Sequence, residues 1–360
     1  MRRRDFVILP LIVLLTLIVV IVPTEGVLRV LFPQNQADAC MDYTSTDPAD
    51  FHARAKCTSR TKIPEGPWVT NSYNDCGFRS PDGCGPKPKG ALRVAIVGTS
   101  LSSGFMVPYD HSMTPMATAA LNQTCKKPVD IQNLGAQGNI GPRLLASAQA
   151  AVALKPDIMV FVVSPPDLHL TDAVAPVGGD KAAHETNLMR EVKVAISSPR
   201  LMYMESYLLL RNDNTYVPIY LRSGHNADYM RAPFSAEWQI KLAHLDADMA
   251  QLSGIAKQAS IPLLVVYIPQ RAQAAVLASP KLADHVDPLI LPKEIKRISA
   301  AYGAGYADMG DEISRGLASS QIYYAMNGHL NGEGNTLLAH AMVKGIIATK
   351  GSPFGTVCHN

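Results

Sequence analysis

The chain has 360 residues, 47% of them hydrophobic and 18% charged, with 25 Gly, 26 Pro and 6 Cys. That apolar share excludes a disordered chain and can build a sizeable core, while the composition excludes collagen and coiled coil. Setting aside Arg2, Arg3, Arg4 and Asp5 (three bases, one acid) leaves 30 basic against 29 acidic residues, so nothing in the bulk charge attracts nucleic acid, and no nucleic-acid partner is expected.

Residues 6–22 (FVILPLIVLLTLIVVIV) form an apolar or near-apolar run without a charge. With its flanks it is long enough to cross ~30 Å of hydrocarbon as a helix. The three arginines before it predict a cytoplasmic tail at 1–5 and export of everything that follows. The run exceeds the usual core of a cleaved signal peptide and leads into Pro23-Thr24-Glu25 instead of a small-residue cleavage site. Residues 6–23 are therefore expected to be a retained membrane anchor, with the rest of this single-pass protein periplasmic or otherwise extracytoplasmic.

Cysteine usage points the same way. Cys40, Cys57, Cys76, Cys84, Cys125 and Cys358 are even in number, as disulfides of an oxidising compartment require. Fifteen pairings are open to six cysteines, although the Cys76–Cys84 spacing around Asp82-Gly83 suits a short closed loop. No paired C-x-x-C or nearby His spacing supports a zinc site. No metal and no cofactor are expected.

Residues 24–90, rich in Pro, Asp, Ser, Thr and Cys, read as an irregular stalk or wrap. Alternation of strands and helices then begins. Short apolar runs at 91–98 (ALRVAIVG), 157–163 and 261–268 predict buried parallel strands, with a further strand expected at 129–134 and a shorter one at 306–309. Helices are expected at 112–124, 142–154, 234–258, 292–302 and 332–348. Residues 168–233 break the rhythm and carry Tyr203, Tyr207, Tyr216, Tyr220 and Tyr229; they read as an insertion above the sheet, its tyrosines packing against the sheet or forming an aromatic lid. The fold class expected is α/β, a parallel sheet between two helical layers, spanning 91–350 with a short tail at 351–360.

Ligands of such sheets bind at the carboxyl ends of the strands, and three segments there carry chemistry. Gly98-Thr99-Ser100-Leu101 leaves the strongest strand through a glycine and sets a hydroxyl at the sheet edge. Asn133-Leu134-Gly135-Ala136-Gln137-Gly138-Asn139 offers a glycine N–H unobstructed by a side chain. Asn327-Gly328-His329-Leu330-Asn331 brings a histidine, the side chain that accepts a serine proton near neutral pH, to the approach of the last helix. No G-x-G-x-x-G follows the first strand, which excludes the dinucleotide-binding reading of the same sheet.

In their order these segments resemble the blocks of the SGNH, or GDSL-type, esterase superfamily. GTSL at 98–101 is similar to its first block, NLGAQGN at 133–139 to its second and NGHLNGEGN at 327–335 to its last; NSYNDCGFR at 71–79 and KPDIMVFVVSPPDL at 155–168 resemble its membrane-tethered members. The resemblance implies an SGNH or flavodoxin-like three-layer sandwich in which Ser100 is the nucleophile and His329 the base. Ser100 and Gly135 N–H groups would face the oxyanion. Its implied substrates are esters, such as O-acetyl groups of polysaccharide, and transfer to a sugar hydroxyl would use the same groups.

Two positions depart from the pattern. Where the family places an aspartate before the histidine, this chain has Asn327, which offers the ring an acceptor oxygen but no charge; removing that acid from a serine protease costs ~10⁴ in turnover. Where the family has an asparagine oxyanion donor, this chain has Pro166, without a donor of any kind; Asn139 is the candidate substitute, and Asp308 and Asp311 are candidate acids from elsewhere in the chain. These departures leave a second reading, a non-catalytic glycan- or protein-binding module.

Overall fold

The computed structural model describes residues 5–33, 38–42, 47–48, 51–80, 83–168, 199–314 and 316–358. The expected tail at 1–5, apart from Asp5, and most of the first half of the insertion lie outside them.

The first helix, Asp5–Leu31, runs through Pro10 and Pro23 and beyond the expected anchor. Within Phe6–Leu31 the most apolar 18-residue stretch has a mean hydropathy of 3.2 and packs none of its length into the protein, whereas Leu28 near the helix end is buried. At 1.5 Å per residue, 26 residues span about 39 Å, more than the ~30 Å of a bilayer core. The surplus is its polar end. There Glu25 accepts the N–H groups of Arg200 and Leu201 at 2.8 and 3.0 Å, and Phe32 stacks about 6 Å from the rings of Tyr203 and Tyr207.

The main sheet has five parallel strands. β3 (Leu92–Gly98), β4 (Val129–Asn133), β5 (Ile158–Val163), β6 (Leu263–Tyr267) and β7 (Gly305–Asp308) lie in the order β4-β3-β5-β6-β7. β5 (IMVFVV) and β6 (LLVVY), and β3 apart from Arg93, are apolar because both their faces are covered, whereas the outer strands β4 (VDIQN) and β7 (GYAD) carry polar residues. Val94, Ile96, Val160, Val162, Leu264 and Val266 pack against the helices Met113–Thr124 and Gly332–Ala348. Ala95, Val97, Met159, Phe161 and Val265 pack against Pro142–Ala153, Ala236–Gln258 and Ile290–Ala301. The result is the expected three-layer α/β/α sandwich. From β3 the chain passes to β4 on one side and then to β5 on the other, so the strand order reverses at β3, where a crevice opens beyond the strand ends.

Among the described residues of the insertion are two helices, Arg200–Leu210 and Asp213–Arg222. Tyr229 is buried in the core, Tyr216 and Tyr220 pack against the same cluster, and Tyr203 and Tyr207 meet the end of the first helix. These rings are packing groups. The helix Arg271–Ala278 and a small antiparallel hairpin, β1 (Thr58–Lys62) with β2 (Trp68–Ser72), complete the elements that bear on the site. The hairpin lies inside the region expected to be irregular.

All six cysteines are paired: Cys40 with Cys57, Cys76 with Cys84, and Cys125 with Cys358. The last pair ties the chain end to the helix Met113–Thr124 across 233 residues. Replacing both Cys125 and Cys358 by Ser is expected to cost about 2–5 kcal/mol by freeing the unfolded chain. A urea midpoint equal to that of the native protein would contradict this.

Candidate active site

The strand β3 ends at Gly98, whose φ of 153° and crowding admit no side chain: a Cβ there would lie 2.8 Å from the Val162 carbonyl and 2.9 Å from Ser102 Oγ. The following turn is tight. Ser102 and Ser103 both donate their N–H to the Thr99 carbonyl, at 3.1 and 3.2 Å, and Phe105 donates to that of Ser100 at 3.2 Å. Thr99 ties this turn to the loop after β5, its hydroxyl donating to Asp167 Oδ1 at 2.6 Å. Asp167 Oδ2 accepts the N–H and hydroxyl of Ser164 at 2.8 and 2.6 Å. Burial nonetheless pushes the Asp167 carboxyl above its ordinary range. Pro165 and Pro166 form the short turn that delivers Asp167 to this contact.

Ser100 meets His329 here. Its Oγ lies 2.8 Å from His329 Nε2, across 229 positions of chain. Asn327 Oδ1 contacts His329 Nδ1 on the far side of the ring. A carbonyl oxygen accepts only, so Nδ1 carries the proton and Nε2 keeps its lone pair for the serine hydroxyl. The edge of Phe105 rests on the imidazole at 5.7 Å between centroids. Burial lowers the His329 pKa from 6.5 to about 4, partly opposed by a hydrogen bond with the Asn327 backbone. The ring is thus a neutral base at physiological pH.

Gly135 and Asn139 lie in the loop after β4. A Cβ on Gly135 would fall 2.1 Å from Ser102 Oγ, so this approach requires glycine. Its N–H donates to Asn133 Oδ1 at 2.9 Å, while the Asn133 amide holds the Ser102 carbonyl and Thr114 Oγ1 at 2.7 and 2.8 Å. Asn139 is buried, and its amide donates to the Gly98 carbonyl and Ser147 Oγ, both at 3.1 Å. The Ser100 N–H has no hydrogen-bond partner among the described residues. Ser100, His329 and Asn327 therefore form one hydrogen-bonded row, whereas Gly135 and Asn139 flank it with their donors engaged inside the protein. A cleft bordered by Phe51, Phe78, Ser103, Phe105, Leu134 and Gly135 adjoins the row at Phe105.

The other candidates are elsewhere occupied. Asp308 accepts from Tyr306 Oη at 2.7 Å and from the Gly310 N–H at 2.5 Å, and neither it nor Asp311 bonds His329 among the described residues. The group Asp75, Cys76 and Cys84 has donor atoms close enough to hold a metal, but its two sulfurs are bonded to each other.

Two residues at the site carry no sequence signal of their own. Glu65, in the turn between β1 and β2, accepts the N–H groups of Met326 and Asn327 at 2.9 and 2.7 Å. Arg271 grips the same loop through the Ala325 carbonyl while holding the Leu210 carbonyl at 2.6 Å. A Pro-Glu-Gly turn and a helix-opening arginine look like surface features in a linear sequence; only the packed loop gives them partners.

No family model matches the chain, and no curated protein matches it. Among solved structures it is similar to a lipase/acylhydrolase from Enterococcus faecalis, at 13% identity over 71% of this chain and 95% of that one, TM-score 0.39. A lipolytic G-D-S-L family member from Veillonella parvula matches at 11% identity over 70% and 97%, TM-score 0.36. An acetyl-xylooligosaccharide esterase variant from Geobacillus Stearmophilus matches at 11% identity over 71% and 93%, TM-score 0.36. These three are described as a lipase/acylhydrolase, a lipolytic G-D-S-L family member and an esterase, and the likeness to them is one of fold.

Proposed function

We propose that this protein is a membrane-anchored serine esterase, exported from the cytoplasm, in which Ser100 and His329 act as nucleophile and base. Ser100 Oγ attacks the ester carbonyl as its proton passes to His329 Nε2. Asn327 holds the ring in the tautomer that can accept it. The Ser100 N–H receives the oxyanion, joined by the Gly135 N–H when it exchanges Asn133 Oδ1 for that stronger, charged acceptor. Asn139 secures the Gly98 carbonyl behind this hole. The proton on Nε2 then goes to the leaving alcohol, and water activated by the same imidazole releases the acid from the acyl-serine.

The observation that carries this reading is the 2.8 Å contact between Ser100 Oγ and His329 Nε2. The anchor helix and the three disulfides support an extracytoplasmic setting, where O-acetyl groups of polysaccharide are the favoured substrate class. A sugar hydroxyl in place of water would make the same groups an acetyltransferase.

A fluorophosphonate probe tests the reading on the detergent-solubilised chain. Stoichiometric label on the Ser100 peptide is expected. Because the base form of His329 persists down to its lowered pKa, labelling survives below pH 6.5 and is lost as pH falls through about 4. Folded protein that takes up no label at any pH would instead be the glycan- or protein-binding module.

A further inference from the structure

Asn327 orients His329 without charge, yet the imidazolium formed during acyl transfer gains from a nearby anion. His329 is hydrogen-bonded to Ser100 and Asn327, and no carboxylate is among its hydrogen-bond partners in the described residues. One carboxylate does bind the loop that carries the base. Glu65 Oε1 lies 2.7 Å from the Asn327 nitrogen and 2.9 Å from that of Met326, with the Ala325 N–H also turned towards it.

We propose that Glu65 is the positioning acid of this site: from the β1–β2 turn it holds the base loop by its backbone N–H groups and stands as the anion behind Asn327 while His329 carries the proton. This rests on the esterase reading above.

The convergence of several donors calls for a carboxylate. An ionised Glu accepts through both oxygens, whereas the NH₂ of a Gln would confront one of the N–H groups. Arg271 faces Glu65 from the helix Arg271–Ala278 and pulls the loop from its carbonyl side at Ala325. Tyr203, from the helix Arg200–Leu210, and Tyr324, from the base loop itself, also face this carboxylate. Burial raises the phenol pKa of both, so neither titrates in the working range. Burial likewise raises Glu65 above the ordinary glutamate range, against the pull of its N–H donors and Arg271. Glu65 therefore loses its charge at a higher pH than His329 gains one. Placement of the hairpin is itself secured, since Cys57, bonded to Cys40, immediately precedes β1.

The test is the pH profile of p-nitrophenyl acetate hydrolysis by the full chain in detergent, native against Glu65→Gln and Glu65→Asp. At pH 8 the Gln variant is expected to lose about 10–100-fold in kcat with little change in KM, the worth of one charge-assisted hydrogen bond. The native profile should show two acid steps, Glu65 first and His329 near 4. Below the first step the native rate converges on that of the Gln variant, which shows only the second. Glu65→Asp keeps the charge and so keeps the first step. A native-to-Gln ratio that stays constant with pH, or an Asp variant that has lost the first step, overturns the proposal. The Asp variant alone decides it if Glu65→Gln does not fold. A native chain that hydrolyses no ester and takes no fluorophosphonate fails the esterase reading itself, a different outcome from an active chain with a constant ratio.

Discussion

Ser100→Ala is expected to reduce ester hydrolysis by at least ~10³-fold and towards ~10⁶-fold, since nucleophile and base act as a unit and losing one loses the other's contribution. The hydroxyl is half-buried and bonds the His329 ring. Its removal leaves the turn after β3 intact, because that turn is held by the Thr99 and Ser100 carbonyls, the Thr99–Asp167 contact and the glycine at 98. The thermal midpoint should accordingly move little while the kinetics collapse. Single-turnover hydrolysis and fluorophosphonate labelling read the first quantity and circular dichroism the second. A variant retaining a tenth of native turnover would remove Ser100 from the mechanism.

Asn327→Asp is expected to act in the opposite direction. The native amide oxygen already fixes the useful tautomer, so the ~10⁴ lost when a protease aspartate becomes asparagine is not the amount to be regained. What the substitution adds is charge. Turning a neutral acceptor on Nδ1 into an ionised one strengthens that bond by roughly 1–2 kcal/mol, or about 5–30-fold in kcat. It also raises the His329 pKa from about 4, moving the acid limb of the pH profile upwards. The new carboxylate would stand near Glu65, whose oxygen accepts the N–H of the same residue. The two like charges disfavour each other, so the gain should be largest at alkaline pH. In this background Glu65→Gln should cost less than in the native chain, because the anion it removes is duplicated. A fall in kcat at pH 8 on introducing the aspartate would contradict this account of the row.

Much of the scaffold was legible from local pattern. Apolar runs without alternation marked β3, β5 and β6 to within two residues, since a strand covered on both faces is apolar at nearly every position. The insertion was recognisable as a loss of that rhythm. Its tyrosines were open to two readings, and the core contacts of Tyr216, Tyr220 and Tyr229 decide for packing. The hairpin β1–β2 escaped notice because its alternation of exposed and buried residues is carried by Ser, Thr, Asn and Arg as much as by apolar side chains. The first helix runs past its expected end because Glu25, Arg29 and Phe32 find partners on one another or on the helix Arg200–Leu210, which no local signal announces.

The sequence by itself determined the alternating strands and helices, the apolar N-terminal run, and the serine, glycine and histidine segments in their order, because each depends on periodicity or on residues adjacent in the chain. Only the tertiary structure decided which cysteines pair, that Asn139 and the Gly135 N–H are engaged by neighbouring groups, and that a glutamate from the N-terminal hairpin holds the loop of His329. Those outcomes depend on contacts between segments tens to hundreds of residues apart, where hydrogen-bond geometry and burial, rather than local propensity, select the partner.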